Sequence, residues 1–319
     1  MALITTYSDT QVRRYDPTFT TALRNAFVRS MRVKFVELIK MIRKGVVDLD
    51  CFGLNKDPLS VLQMYPPERE AFAFVRSSRK IEEFMRWLQK QVDNGILTVQ
   101  EYEQIGRGIE EAWTNLYISD SYKRGIIRAR QEMRKVGIEV PSVDDSGGVD
   151  NILGMPMHLD RLGLLFTRVY SDLKGITDAM EAQISRVLAQ GIADGDGPRL
   201  LARKLIATIN GTDMGDLGIT DTLGRFIPAQ RRAEMLARTE IIRAHHQAMI
   251  QEYRNWAVLE IYIKGEWKTA GDDRVCDKCA SLEGRIFTLD EIENMIPYHP
   301  NCRCIALPYV EELLKYRRN

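Results

Sequence analysis

Four of the five cysteines of this 319-residue chain stand between Cys276 and Cys304, and no other feature constrains its fold as tightly. The window reads Asp272-Asp273-Arg274-Val275-Cys276-Asp277-Lys278-Cys279, then Leu282-Glu283-Gly284-Arg285, then Pro297-Tyr298-His299-Pro300-Asn301-Cys302-Arg303-Cys304. Cys276 and Cys279 have the spacing of a zinc knuckle, in which a tight turn lets two thiolates reach one tetrahedral ion. Cys302 and Cys304 are two apart, so an extended segment turns both to one side. The gap between Cys279 and His299 suits a hairpin turning at Glu283-Gly284. Cys276, Cys279, His299, Cys302 and Cys304 thus offer five donors to a metal that takes four. Spacing leaves open whether His299 or Cys304 completes the set. Sulfur with nitrogen favours one structural zinc per chain. The competing readings are disulfides, which a reducing cytoplasm disfavours, and four free buried thiols.

Catalytic signatures are missing around this cluster. The chain has no His-Glu-x-x-His, no deaminase pairing of His-x-Glu with Pro-Cys-x-x-Cys, no phosphate-binding glycine loop and no Gly-x-Ser-x-Gly elbow. Cys276-x-x-Cys279 lacks the βαβ setting of a redox pair. His245-His246 fall within an apolar helix pattern and read as packing residues.

Upstream, apolar residues recur at helical spacing. Asp16-Pro17 reads as the start of a first helix, Leu23, Phe27, Met31, Phe35, Leu38 and Ile42 as its buried stripe, and Gly45 as its stop. A turn-rich stretch from Gly53 to Pro67 precedes a helix from about Glu68 to Val92. Thr98-Val99-Gln100-Glu101 has the form of a capping box. It is expected to open a long helix through Tyr102, Ile105, Ile109 and Trp113 to Met133, ending near Gly137. Further helices are expected at about Leu159–Leu173, Ile176–Gln190, Arg199–Ile209 and from Pro228 to near Trp256, with a loop over 210–227. The period then changes to two over Leu259, Ile261, Ile263 and Trp267, which fits a strand running toward the cysteines. The fold class implied is α+β and predominantly helical: a helical N-terminal half, then C-terminal helices followed by short strands around a small metal knot. The stretch from Ile138 to Asn151 is poor in apolar residues and reads as a linker. A helical domain over 1–137, a linker over 138–157 and a second domain over 158–319, with the knot at about 265–310, are therefore expected.

Composition is ordinary for a globular chain, with 45% hydrophobic and 28% charged residues. No apolar run is long enough for a membrane span. The N-terminus lacks the order of a signal peptide, so synthesis in the cytoplasm is expected. A net charge of +1 gives the whole chain no bias toward nucleic acid, but nine basic residues face two acidic ones between Arg13 and Lys44. Arg24, Arg29 and Arg32 lie off the apolar stripe there. They are candidates for contact with an acidic partner, protein or DNA.

Ala237-Arg238-Thr239-Glu240 on a helix is followed by Trp267, by Asp273-Arg274-Val275-Cys276-x-x-Cys279, by Leu282-x-Gly284 and by the closing His299-Pro300-Asn301-Cys302-Arg303-Cys304 box. That order resembles the phage Mu F-like head morphogenesis family, also called minor head or minor capsid proteins. The resemblance covers about 160–310, and residues 1–150 carry no motif of the family. It implies a non-enzymatic bacteriophage protein of the procapsid and virion, while the zinc-binding expectation rests on the donor set alone. Such a protein is present in few copies near the portal vertex and assembled in the bacterial host cytoplasm. Portal protein and major capsid or scaffold proteins are the implied partners. DNA is a further one, through packaging or delivery; a membrane and a small-molecule substrate are not expected. No fused toxin domain is expected after the box. Arg238, Glu240, Trp267 and Asp273 are expected as the structural core of the motif, with hydrogen bonds holding the Arg238/Glu240 helix against the strands. Two alternatives come from other classes. A metal-dependent nuclease or transferase would use Arg238, Glu240 and His245 in a pocket beside an open metal position. A zinc-dependent DNA-binding module would show a continuous basic face.

Overall fold

The computed structural model describes residues 16–55, 77–104, 107–211, 227–257 and 262–310. The expected loop within 212–226, the start of the second expected helix before Ser77, and Leu259 and Ile261 lie outside the described residues. In chain order the elements are α1 (Thr21–Arg43), a π-helical turn (Lys44–Asp48), α2 (Ser77–Gly95), β1 (Val99–Gln104), β2 (Arg107–Ala112), α3 (Asn115–Lys135), α4 (Val149–Leu153), α5 (Pro156–Ala193) and α6 (Pro198–Asn210). They continue with α7 (Ala229–Ala257), β3 (Ile263–Lys268), α8 (Asp277–Ala280), β4 (Ile286–Phe287), α9 (Leu289–Glu293) and β5 (Ile305–Val310). The class is the expected one: helices dominate, and a small antiparallel sheet closes the C-terminal part. No helix of the described residues is long and apolar enough to cross a membrane.

The chain divides into two compact units, each made of separate segments. One comprises Met1–Phe27, Thr114–Val169 and Met235–Asn319, the other Val28–Trp113 and Tyr170–Glu234.

The apolar stripe of α1 is buried throughout, from Leu23 to Ile42. Its boundaries differ from expectation because side chains compete for the backbone. The Asp16 carboxylate accepts hydrogen bonds from Thr18 N (3.1 Å), Thr18 Oγ1 (2.8 Å) and Thr21 Oγ1 (2.8 Å). It therefore builds a turn ahead of a helix that begins only at Thr21. Gly45 does not stop the chain's winding; it is buried within the π-helical turn.

The Thr98 box also acts differently. Its hydroxyl donates back to Gly95 O at 2.8 Å and to Asn94 O, closing α2 rather than opening a helix. The next residues form the β1–β2 hairpin, with Val99 opposite Ala112 and Gln104 opposite Arg107. Gly106 and Gly108 each cost a helix here about 1 kcal/mol relative to alanine. The long helix α3 starts at Asn115.

Two helices expected in the middle of the chain are one. α5 runs 38 residues through Lys174-Gly175, because Val169, Leu173, Ile176 and Met180 continue a single buried stripe across the glycine.

In the first unit α3 lies close against α7. A Cβ on Gly125 would stand 2.4 Å from the His245 carbonyl oxygen, so only glycine fits the approach. Ser121 Oγ donates to Ile241 O at 2.6 Å. A buried polar chain joins the same helices to α5: Tyr122 OH meets His158 Nδ1 (3.0 Å), His158 Nε2 meets Glu252 Oε1 (2.9 Å), and Arg130 Nε donates to Glu252 Oε2 (2.6 Å). Arg130 also donates to Ser146 Oγ (2.6 Å) and Pro141 O (3.3 Å). In the stretch read from sequence as a linker, Ile138 and Val140 are buried in the core that holds Trp267 and Tyr253.

Candidate metal centre

The sheet has the order β4-β3-β5, both pairings antiparallel. β3 turns Ile263, Gly265 and Trp267 inward. Trp267 is fully buried, edge-on to Phe287 (6.5 Å) and Tyr298 (6.1 Å). Its last residue, Lys268, pairs with Ile305, the first of β5. That single register pair draws together the two ends of the loop that carries all five candidate donors. The expected hairpin between Cys279 and His299 is not what fills the loop. Gly284, at a φ of 73°, turns the chain so that its amide donates to Trp267 O at 2.8 Å, and β4 pairs with β3, upstream of the knuckle. Thr288 and Glu291 then form a capping box that starts α9.

Within this frame Cys276 caps α8, its sulfur accepting from Cys279 N at 3.4 Å. His299 Nε2 lies 3.4 Å from Cys276 Sγ and 3.2 Å from Cys279 Sγ. The other ring nitrogen, Nδ1, donates to Pro300 O at 2.8 Å, which leaves the Nε2 lone pair facing the two sulfurs. Cys279 also belongs to a second triad with Cys302 and Cys304. Donor atoms within each triad lie within 4.8 Å of one another. Cys279, Cys302 and Cys304 are buried, while Cys276 is partly exposed.

The electrostatics of this packing suit a cation. Burial pushes the Cys279 thiol up to about 12. The hydrogen bond between Cys304 and Cys302 raises the first and draws the second down to about 5. Thiolates so close cannot all ionise unless a positive ion neutralises them. A soft divalent ion of zinc type fits three such sulfurs with one imidazole, or four sulfurs alone.

Of the residues singled out from sequence as the core of the motif, Trp267 is buried in the cluster that holds Cys279, Cys302 and Cys304, while the other three make other contacts than expected. Asp273 is exposed, and its neighbour Asp272 carries the contacts. Asp272 accepts two bonds from the Arg303 guanidinium, at 2.6 and 2.5 Å, and a third from Arg274 at 2.9 Å. The Arg303 contact, with Arg274 behind it, holds the Asp272 carboxyl well below the usual carboxylate range. A signal existed in the sequence: an arginine fixed between two candidate ligands needs a carboxylate.

Glu240 is buried, but its partners are Arg243 Nε (3.1 Å to each oxygen) and Arg168 Nε (3.5 Å) on helices, not the strands. Arg238 is half-buried. The bonds that hold α7 against the knot and sheet come from other residues of the helix. Asn301 N donates to Thr239 Oγ1 (3.1 Å), His246 Nε2 to Ile292 O (3.0 Å), Gln247 Nε2 to Glu293 O (3.0 Å) and Tyr253 OH to Ala306 O (3.2 Å). Arg254 and Arg161 both pair with Glu293, Arg254 at 2.8 Å, and these contacts bring its carboxyl down to about 2.

His245 and His246 are packing residues, as expected; burial drives them down to about 3 and 4, so both are neutral at pH 7. Glu240 and His245 belong to neither donor triad. Three basic residues of α1 are engaged within the chain. Arg24 is buried and paired with Asp16, contrary to the outward placement expected of it. Arg32 donates to both oxygens of Glu234 (3.0 and 3.1 Å), and Lys34 donates to Gly95 O (2.7 Å) beneath Trp113. Of the three arginines singled out, Arg29 is exposed and has no described partner.

Residues 182–307 match the family model described as Phage Mu protein F like protein. The match begins within α5 and ends in β5, taking in α7, the knuckle and the closing box, so this part of the chain is similar to the Mu F-like family. No curated protein and no solved structure matches the chain.

Proposed function

We propose that the chain is a minor capsid component of a bacteriophage. In this reading it joins the portal vertex during procapsid assembly and acts there by binding other proteins rather than by catalysis. The observation that carries the reading is the Mu F-like match, because its span contains the whole knot together with the helix on which the knot hangs. The chemistry of the donor set agrees with a structural role: thiols and one imidazole, with no carboxylate among them. One zinc ion, held by Cys276, Cys279, His299 and a thiol of the Cys302/Cys304 pair, would lock the loop whose ends meet at Lys268 and Ile305. Portal protein, major capsid or scaffold protein are the proposed partners, with the DNA path close by. Purified heads test the proposal directly. The chain should co-purify with the portal, in far fewer copies than the major capsid protein. A chain found only in the soluble fraction, with heads assembling normally without it, overturns the reading.

A further inference from the structure

On α5 one carboxyl is buried with nothing to receive its charge. Glu181 is 9% exposed, and its Oε1 is buried without a hydrogen-bond partner among the described residues. An ionised carboxylate in such a place is costly unless it is paired and hydrogen-bonded. Its neighbours do not pair it. Lys174, Asp178 and Glu181 follow one another along one face of the helix. The Lys174 ammonium, the one cation among the described groups whose charge acts on Glu181, donates to both oxygens of Asp178 at 2.8 Å. The other charges acting on Glu181 are negative: Asp178 from its own helix and Asp93 from the last turn of α2. Asp93 is itself ill placed, since the C-terminal end of a helix carries a partial negative charge. All four residues belong to the same compact unit.

We propose that Glu181 is a proton-held latch: protonated, it tolerates the Asp93 end of α2 beside it, and ionised, it repels that end and loosens the last turn of α2. The direction of its acidity agrees. Burial first, then Asp178 and Asp93, raise the carboxyl from the ordinary 4.5 to about 7, against the weaker opposing pull of Lys174. A carboxyl raised on folding keeps its proton in the native state after the unfolded chain has lost its own. The native state is therefore unpenalised below pH 4.5, loses stability as pH rises from 4.5 to 7, and bears the whole loss above 7. The Ile96 and Leu97 amides both donate to Val92 O, at 2.8 and 2.9 Å, so they report on the turn that the latch holds.

The test compares the full-length wild-type chain with Glu181→Gln, which keeps the shape of the side chain and cannot ionise. Melting temperature and amide exchange at Ile96 and Leu97 are measured for both at about pH 4.5 and about pH 8.5, on either side of the window. The two chains should melt together at the lower pH. At the higher pH Glu181→Gln should melt about 2–4 °C above wild type, and its Ile96 and Leu97 amides should exchange more slowly. Asp93→Asn, which removes the facing charge, should close part of that gap. A gap of equal size at both pH values overturns the latch, as does a wild type that matches or exceeds Glu181→Gln at the higher pH. A gap in melting temperature with unchanged exchange at Ile96 and Leu97 overturns it too. Titration of the Glu181 side-chain carbon by NMR in the wild-type chain needs no variant: a midpoint near 7 is expected, and one at the ordinary 4.5 overturns the latch.

Discussion

The backbone amide of Asn301 donates to the Thr239 hydroxyl at 3.1 Å, so the box that closes the candidate metal site hangs from the helix bearing Ala-Arg-Thr-Glu. Thr239 passes the bond on to Met235 O at 2.7 Å, and Asn301 presents its amide from a left-handed conformation, φ 62°. Thr239→Val should destabilise the chain by about 1 kcal/mol in urea unfolding, the usual net worth of one such bond, while Thr239→Ser should not. Asn301→Gly should be tolerated and Asn301→Val should not, since a β-branched residue resists positive φ. Equal stability of Thr239→Val and wild type would show that the bond contributes nothing.

Metal analysis of protein purified without chelator should give about one zinc per chain. Cys279 belongs to both triads, so Cys279→Ser should lose more metal than Cys276→Ser. Cys51→Ser should keep its metal, because Cys51 lies in neither triad. Chelator should lower the melting temperature of wild type, as metal binding is coupled to folding. A metal-free chain with four titratable thiols between Cys276 and Cys304 would refute the site.

Arg130 and Glu252 form a buried ion pair, with side chains 5% and 0% exposed. Arg130→Ala leaves Glu252 without its cation and should cost about 3–5 kcal/mol. It should also release the turn at Ser146 and Pro141 that the guanidinium holds, seen as new protease cleavage between Ser142 and Gly148. The double change Arg130→Met with Glu252→Leu should cost less than Arg130→Ala alone. Additive losses in these variants would mean that the pair is not coupled.

Glu293 gives the chain an acid-sensitive contact. Hydrogen bonds from Arg254, then Arg161, bring its carboxyl from the ordinary 4.5 down to about 2. A group lowered on folding stabilises the native state above its unfolded value and ceases to do so as it takes up a proton. The contribution should therefore be complete above pH 4.5 and fade as pH falls through 2. It is of order 2 kcal/mol at neutral pH, after allowance for solvent screening. Glu293→Gln should be less stable than wild type at pH 7, and the gap should close near pH 2. A gap constant from pH 7 to pH 2 would remove Glu293 from the ledger.

Periodicity located the helices of this chain well, because Leu23, Phe27, Met31, Phe35, Leu38 and Ile42 repeat on one buried face. It failed where one side chain has two uses. Asp16 and Thr98 both have the chemistry of a helix cap, yet Asp16 builds a turn and Thr98 closes the helix behind it. Tyr102 and Ile109, read as helical spacing, are opposed in a hairpin, where a period of two serves equally well.

The sequence by itself determined the class of the fold, most of the helices and the donor types gathered in the candidate knot. Ligand type and short spacing are properties of neighbouring residues, and Cys-x-x-Cys with His-Pro-Asn-Cys-Arg-Cys states them directly. Only the tertiary structure decided which nitrogen of His299 faces sulfur, that Cys279 is common to both triads, and that Asp272 rather than Asp273 pairs with Arg303. The same holds for Thr239, which bonds to the box while Glu240 beside it binds arginines. Adjacent residues in a turn or a helix differ chiefly in the direction of their side chains. That direction depends on pairings far apart in the chain, such as Lys268 with Ile305, which local sequence does not encode.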